Sequence, residues 1–163
     1  MKQSRLIIAL LAAAFLLVAG TQTASAQLSR LHFGGYRITR ISPVSFRSVR
    51  GTAEFQIQND TVGFTMSNIS GTVYKKGKAF VRGDASPVSI PSGSSTVAVN
   101  GTASLCEGIT LWDVLQCIAF KAEDYSIDVS MTIITTKGDR REVAKSGLSV
   151  AALLNNVMRR KGK

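Results

Sequence analysis

Alternation of apolar and polar residues is the dominant pattern along this chain. Every second side chain is apolar in residues 52–58, and residues 125–133 repeat that pattern over a longer run. Successive side chains of a strand point to opposite faces of a sheet, so a period of two predicts antiparallel strands with one buried face. The residues predicted to face the core are Phe55, Ile57, Ile69, Val73, Val97, Val99, Ile127, Val129 and Met131.

The stretch of residues 86–105, SPVSIPSGSSTVAVNGTASL, holds two predicted strands. The first ends at Ile90, which Pro91 biases toward extended geometry, and the second is the alternating run that contains Val97 and Val99. Between them, Ser92-Gly93-Ser94-Ser95 supplies small and flexible residues. A tight reversal is therefore predicted between these strands.

Helical spacing replaces the strand pattern in two places. Apolar residues recur at this spacing from Ile109 to Ala119, with Thr110 as the predicted N-cap and Asp113 completing an imperfect capping box. A second stripe consists of Val150, Leu153, Leu154, Val157 and Met158. The whole pattern predicts an all-β sandwich of seven or eight strands, with one short inserted helix and a short C-terminal helix.

The first 26 residues have the features of a signal peptide. Lys2 and Arg5 precede the apolar residues 6–20, and the small residues Ala24-Ser25-Ala26 follow. The apolar run is shorter than the roughly 20 residues that a membrane-spanning helix needs. Cleavage after Ala26 is predicted, with export to the periplasm or the extracellular space; the alternative is an uncleaved anchor.

Processing would leave 137 of the 163 residues and lower the formal charge from +10 to +8. They divide into a β-sandwich domain, residues 27–154, and a basic tail, residues 155–163. The tail carries Arg159, Arg160, Lys161 and Lys163, which we interpret as a candidate contact with an acidic membrane surface. The alternative is a solvated basic terminus. No nucleic-acid partner is expected, and the protein is expected to be a monomer.

Reactive residues are few. His32 is the single histidine, and Cys106 and Cys117 lie eleven positions apart, so the spacing predicts no metal site. No catalytic base, phosphate loop or cofactor motif is found, and the chain is predicted not to be an enzyme. Export through an oxidising compartment makes Cys106–Cys117 a candidate disulfide, and two small buried apolar side chains are the alternative.

The order of these features resembles the late embryogenesis abundant type 2 family, also called the water-stress and hypersensitive-response domain. The resemblance extends from about Ile41 to Leu154 and includes the strand that ends at Asn59, the sequence VSIPSGSSTVAVNGT, and KSGLSVAALL near the end. Asp60 stands where the family usually has proline. The resemblance implies an immunoglobulin-like or fibronectin-III-like sandwich without catalytic residues.

Two classes of function follow. The first is a non-enzymatic exported module that protects proteins or membranes under stress, or that holds an apolar or lipid ligand. The second is a structural or adhesive component of a cell-envelope assembly that pairs through exposed strand edges.

Overall fold

The computed structural model describes residues 30–110, 112–113, 121–152 and 155, and places eight strands in one antiparallel sheet. The strands are β1 (Leu31–Ser45), β2 (Ser48–Asn59), β3 (Phe64–Lys75), β4 (Lys78–Ala85), β5 (Val88–Ile90), β6 (Gly93–Leu105), β7 (Tyr125–Thr135) and β8 (Arg140–Ser149). Their order across the sheet is β1-β2-β6-β4-β3-β7-β8, and β5 also pairs with β3. The predicted all-β class and the number of strands are confirmed.

The sheet curls around one hydrophobic core, as expected for the predicted sandwich. The core takes buried side chains from β1 to β7 and partly buried ones from β8. Eight of the nine residues predicted to face inward are buried, and the ninth, Val99, is partly buried against them. The alternation therefore identified the buried face of each strand correctly, because the side-chain period of a strand is two.

The predicted capping box is confirmed at Thr110 and Asp113. The Asp113 carboxylate accepts hydrogen bonds from the Thr110 backbone N–H (2.7 Å) and hydroxyl (2.8 Å), and the Thr110 hydroxyl accepts one from the Asp113 N–H (3.2 Å). These bonds satisfy donors that a helix start leaves unpaired. Leu111 and residues 114–120, the rest of the predicted helix, lie outside the described residues.

A second helical segment begins directly after β8. The Ser149 hydroxyl accepts a hydrogen bond from the Ala152 N–H (3.3 Å), and Val150 is buried. Leu153, Leu154, Val157 and Met158 lie outside the described residues. Among the residues described, no helix has the length and apolar character needed to cross a bilayer.

The predicted reversal after Ile90 is present, because β5 and β6 run in opposite directions and only Pro91 and Ser92 separate them. The two strands are not hydrogen-bonded neighbours, however, since β5 pairs with β3 whereas β6 pairs with β2 and β4. The sequence predicts a break at Gly34-Gly35 and a first strand that starts at Tyr36. In the structure the strand begins at Leu31, because a bulge at Gly34 lets the pairing with β2 continue through this segment.

Candidate functional site

Strands β4 and β5 follow one line beside β3. Both pair with β3 in the same register, from Ile69 opposite Ala85 to Phe64 opposite Ile90. Ser86 and Pro87 interrupt this line, and Pro87 has no N–H to donate to a neighbouring strand. The interruption separates a segment that is paired on both sides from one that is paired on β3 only.

Strand β6 separates from this line at Gly101. It pairs with β2 along its whole length, from Gly93 to Ser104, but with β4 only from Gly101 to Leu105. A Cβ built on Gly101 would lie 2.8 Å from the Asp84 carbonyl oxygen, so only glycine permits the strands to approach this closely. The last bond across the junction is from the Ser86 N–H to the Asn100 carbonyl oxygen (2.9 Å).

Beyond the junction, the two strands border a groove of about 620 Å³. Its buried apolar side chains are Phe64, Val88, Ile90 and Val97, and its hydroxyl groups come from Thr65, Ser89, Thr96, Thr135 and Thr136. The groove thus combines apolar side chains of the core with polar ones at the surface. This is the mixture found in sites that fix the orientation of a ligand.

The groove is bordered by peptide groups that lack a partner strand. Along an antiparallel strand, the N–H and C=O groups of successive residues point alternately to the two sides of the strand. In β6, the carbonyl group of Asn100 points toward β4. The N–H of Leu105 points to the other side, where it bonds to the Arg47 carbonyl oxygen beside β2 (2.8 Å). Even-numbered residues of β6 therefore direct their peptide groups toward the groove. Within the described part of the chain, no strand pairs with Thr96 or Ala98 on that side.

This border also lacks charge. No charged residue lies between Asp84 and Glu107, a stretch that contains all of β5 and β6. In contrast, β8 at one outer edge of the sheet carries Arg140, Arg141, Glu142 and Lys145, and β1 at the other has three bulges and a proline. Charges, bulges and prolines prevent edge strands from pairing with other chains. The outer edges have this protection; in the groove, Pro87 and Pro91 flank β5, whereas the β6 border has neither a charge nor a proline.

Asn59 fixes the end of the groove. Its side chain is 1% exposed; Nδ2 donates to the carbonyl oxygens of Pro91 (3.1 Å) and Val62 (3.3 Å), and Oδ1 accepts from the Thr61 N–H (3.0 Å) and hydroxyl (2.7 Å). A buried amide with all these bonds holds the entry to β3 against the connection between β5 and β6.

The polar groups nearest this end are exposed. His32 Nε2 lies 3.0 Å from Asp60 Oδ2, and Gln58 Nε2 donates to Asp60 Oδ1 (3.0 Å). The Gln58 hydrogen bond, followed by the nearby His32, lowers the pKa of Asp60 below its usual value of 3.8. The Ser94 hydroxyl bonds to Gln58 and not to His32, so the geometry does not pair this hydroxyl with the imidazole as a base.

The site residues predicted from the sequence lie elsewhere or outside the described residues. Cys106 is half-buried at the opposite end of β6, where its N–H donates to the Phe80 carbonyl oxygen (3.0 Å). Cys117 and the basic residues Arg159, Arg160, Lys161 and Lys163 lie outside the described residues. The disulfide and the membrane contact of the tail therefore stay predictions. In the part of the chain that is described, no three His, Cys, Asp or Glu residues cluster as metal ligands would.

Comparison with known proteins identifies distant structural neighbours. No protein-family model and no curated protein sequence matches the chain. A protein from Archaeoglobus fulgidus aligns over 71% of this chain and 97% of its own, at 17% identity and a TM-score of 0.42. A family 2 β-glucuronidase aligns over 73% of this chain and 13% of its own, at 18% identity and a TM-score of 0.34. The GAE domain of GGA2p from Saccharomyces cerevisiae aligns over 73% of this chain and 98% of its own, at 9% identity and a TM-score of 0.28. At these values the likenesses carry no functional argument.

Proposed function

We propose that this protein is a non-enzymatic exported module that protects other proteins under stress by holding an extended segment of a client chain in the groove between β5 and β6. The observation that carries the proposal is that the peptide groups of Thr96 and Ala98 face the groove without a partner strand, in a stretch of sequence that has no charged residue. An extended segment laid in the groove would supply the donors and acceptors that these groups lack, as in other cases of strand addition.

The groove suits an unfolded client better than one defined sequence. Backbone hydrogen bonds are the same for any sequence, and the neighbouring Ser and Thr side chains accept both small apolar and polar partners. The proposed export and the resemblance to late embryogenesis abundant type 2 proteins support a protective role. The second candidate, a component of a cell-envelope assembly, is favoured by the same unprotected border, which would then receive a strand of one dedicated partner.

Aggregation of a heat-labile reporter enzyme, followed by light scattering, tests the proposal. We expect the protein to suppress aggregation at near-stoichiometric ratios, and Ala98→Lys to abolish the effect by placing a charge at the groove. Ala144→Lys is the matched control, because Ala144 is also an exposed alanine on a strand but lies on β8. Both variants should keep the melting temperature of the original protein.

Direct binding can be measured with a fluorescein-labelled, uncharged peptide of alternating valine and threonine. Polarisation should increase on binding, and a central proline in the peptide should weaken binding because it removes an N–H donor. Full suppression of aggregation by Ala98→Lys would refute the role of the groove. A defined complex with one protein, together with failure to suppress aggregation, would support the assembly role instead.

A further inference from the structure

The end of the sheet opposite the groove, which we call the aromatic end, is formed by two turns and the segment that follows β6. Pairing brings Ser48 at the start of β2 opposite Ser104, near the end of β6, and Lys75 at the end of β3 opposite Tyr125, the first residue of β7. The β1–β2 turn, the β3–β4 turn and residues 106–110 and 112–113 therefore share one end of the molecule. The residues that define the aromatic end are Val44, Phe46, Lys76, Lys78 and Trp112.

Arg47 joins the β1–β2 turn to the segment that leads to Trp112. Its guanidinium donates from Nη2 to the Cys106 carbonyl oxygen (2.7 Å) and from Nη1 to the Ile109 carbonyl oxygen (2.8 Å). The turn itself is fixed by a bond from the Arg47 N–H to the Ser45 hydroxyl (3.1 Å). Phe46 and Trp112 are thus carried by a hydrogen-bonded framework and not by two independent loops.

Large apolar side chains project from this framework into solvent. Phe46 is 78% exposed, Trp112 is 68% exposed and Val44 is 54% exposed, in contrast to the buried core residues a few positions away. Scattered single apolar residues are normal at a surface, but three on hydrogen-bonded segments at one end of the molecule point to a binding partner.

Basic residues lie beside these apolar groups. Lys76 is exposed in the β3–β4 turn and Lys78 is exposed at the start of β4. The Lys76 N–H donates to the Asp124 carbonyl oxygen (2.7 Å), which ties this turn to the segment before β7. The exposed carboxylates of Glu107 and Glu123 at the same end offset part of this charge.

We propose that the aromatic end docks on the surface of an acidic phospholipid bilayer. Trp112 enters the boundary between head groups and acyl chains, where its amphipathic ring is favoured, and Phe46 inserts its apolar ring beside it, while Lys76 and Lys78 contact anionic head groups. Their position on projecting turns suits a soft, deformable surface. A protein partner would more commonly present a pocket to aromatic anchors that converge at the centre of an interface.

This inference is independent of the proposed client groove. The groove is bounded by Phe64, Pro91 and Thr135 at the other end of the strands. A client segment and a membrane could therefore be bound at the same time, and a variant at one site should leave the other site functional.

Trp112 is the single tryptophan of the chain, so its fluorescence reports directly on the proposed contact. We expect its emission to shift to shorter wavelengths when the protein is mixed with vesicles of phosphatidylcholine and phosphatidylglycerol. Vesicles of phosphatidylcholine alone should give a much smaller shift, and added salt should reduce the shift by screening. Acidic vesicles with brominated acyl chains should quench the emission.

Variants separate the contact from general adsorption. Phe46→Ser should weaken partitioning into acidic vesicles about tenfold, because a large apolar surface no longer enters the bilayer. Lys76→Glu should weaken it about fivefold or more. The matched controls lie at the groove end: Val62→Ser, where Val62 is 62% exposed, and Lys137→Glu should have little effect.

An emission spectrum that acidic vesicles leave unchanged would overturn the proposal. So would equal losses for Phe46→Ser and Val62→Ser, since the binding would then be nonspecific. Loss of vesicle binding in Ala98→Lys, the groove variant, would show that the two sites are not distinct and would also contradict the inference.

Discussion

Ile127 provides a direct test of the strand register, because its side chain is 1% exposed and belongs to the hydrophobic core. It lies on β7 between Val73 of β3 and Leu148 of β8. Ile127→Ala removes three carbon atoms, and at roughly 0.8 kcal/mol per methylene the lost transfer free energy is about 2.4 kcal/mol. A residual cavity adds to this loss, so we expect the free energy of unfolding to fall by about 3–4 kcal/mol.

Urea denaturation followed by circular dichroism measures this loss as a lower midpoint at an unchanged slope. Ile134→Ala is the matched control: Ile134 is on the same strand but on the opposite face, and it is only half-buried. We expect it to cost about 1 kcal/mol or less. A larger loss at Ile134 than at Ile127 would mean that the register of β7 is displaced by one residue, because such a shift exchanges the two faces of a strand. Equal losses would contradict the assignment of a single buried face.

Three further changes test particular contacts. Asn59→Ala should lower the free energy of unfolding by about 1–3 kcal/mol in urea denaturation, because two backbone carbonyl oxygens lose their donor. Gly101→Ala should cost about 1–3 kcal/mol in the same assay, because its Cβ would lie 2.8 Å from the Asp84 carbonyl oxygen. Gln58→Ala should raise the pKa of Asp60 toward 3.8 in an NMR titration. A carboxyl with a lowered pKa stabilises the fold above its unfolded pKa and loses that effect as pH falls through its folded pKa, so this variant should lose less stability on acidification below about pH 4.

Local features of the fold could be predicted from the sequence because their causes are local. The alternation around Phe55 and Ile127 follows from strand geometry, and the bonds between Thr110 and Asp113 need only three residues of separation. The strands with which β5 and β6 each pair could not be predicted in this way. The residues around Pro91 allow both a hairpin and a crossover, and the choice between them depends on β2 and β3, which are distant in sequence.

The candidate sites were only partly visible in the sequence for the same reason. The absence of charge from Ser86 to Cys106 is evident in the sequence. The peptide groups that have no partner strand are not, because they are determined by the end of the pairing between β4 and β6 at Gly101. At the aromatic end, the apolar residues Tyr36, Ile38, Val44 and Phe46 predict one strand that includes Phe46, whereas Phe46 lies in the β1–β2 turn. Helical spacing placed Trp112 among apolar neighbours and gave no information on its exposure.

Because β6 separates from β4 at Gly101, the amide protons of one strand should exchange with solvent at different rates. The N–H groups of Val97 and Val99 point toward β2, whereas those of Thr96 and Ala98 point into the groove. In deuterated water, alternate amides of this segment should therefore exchange at very different rates, although they belong to one continuous strand. Past Gly101 the alternation should disappear, because β6 has a neighbour on each side there.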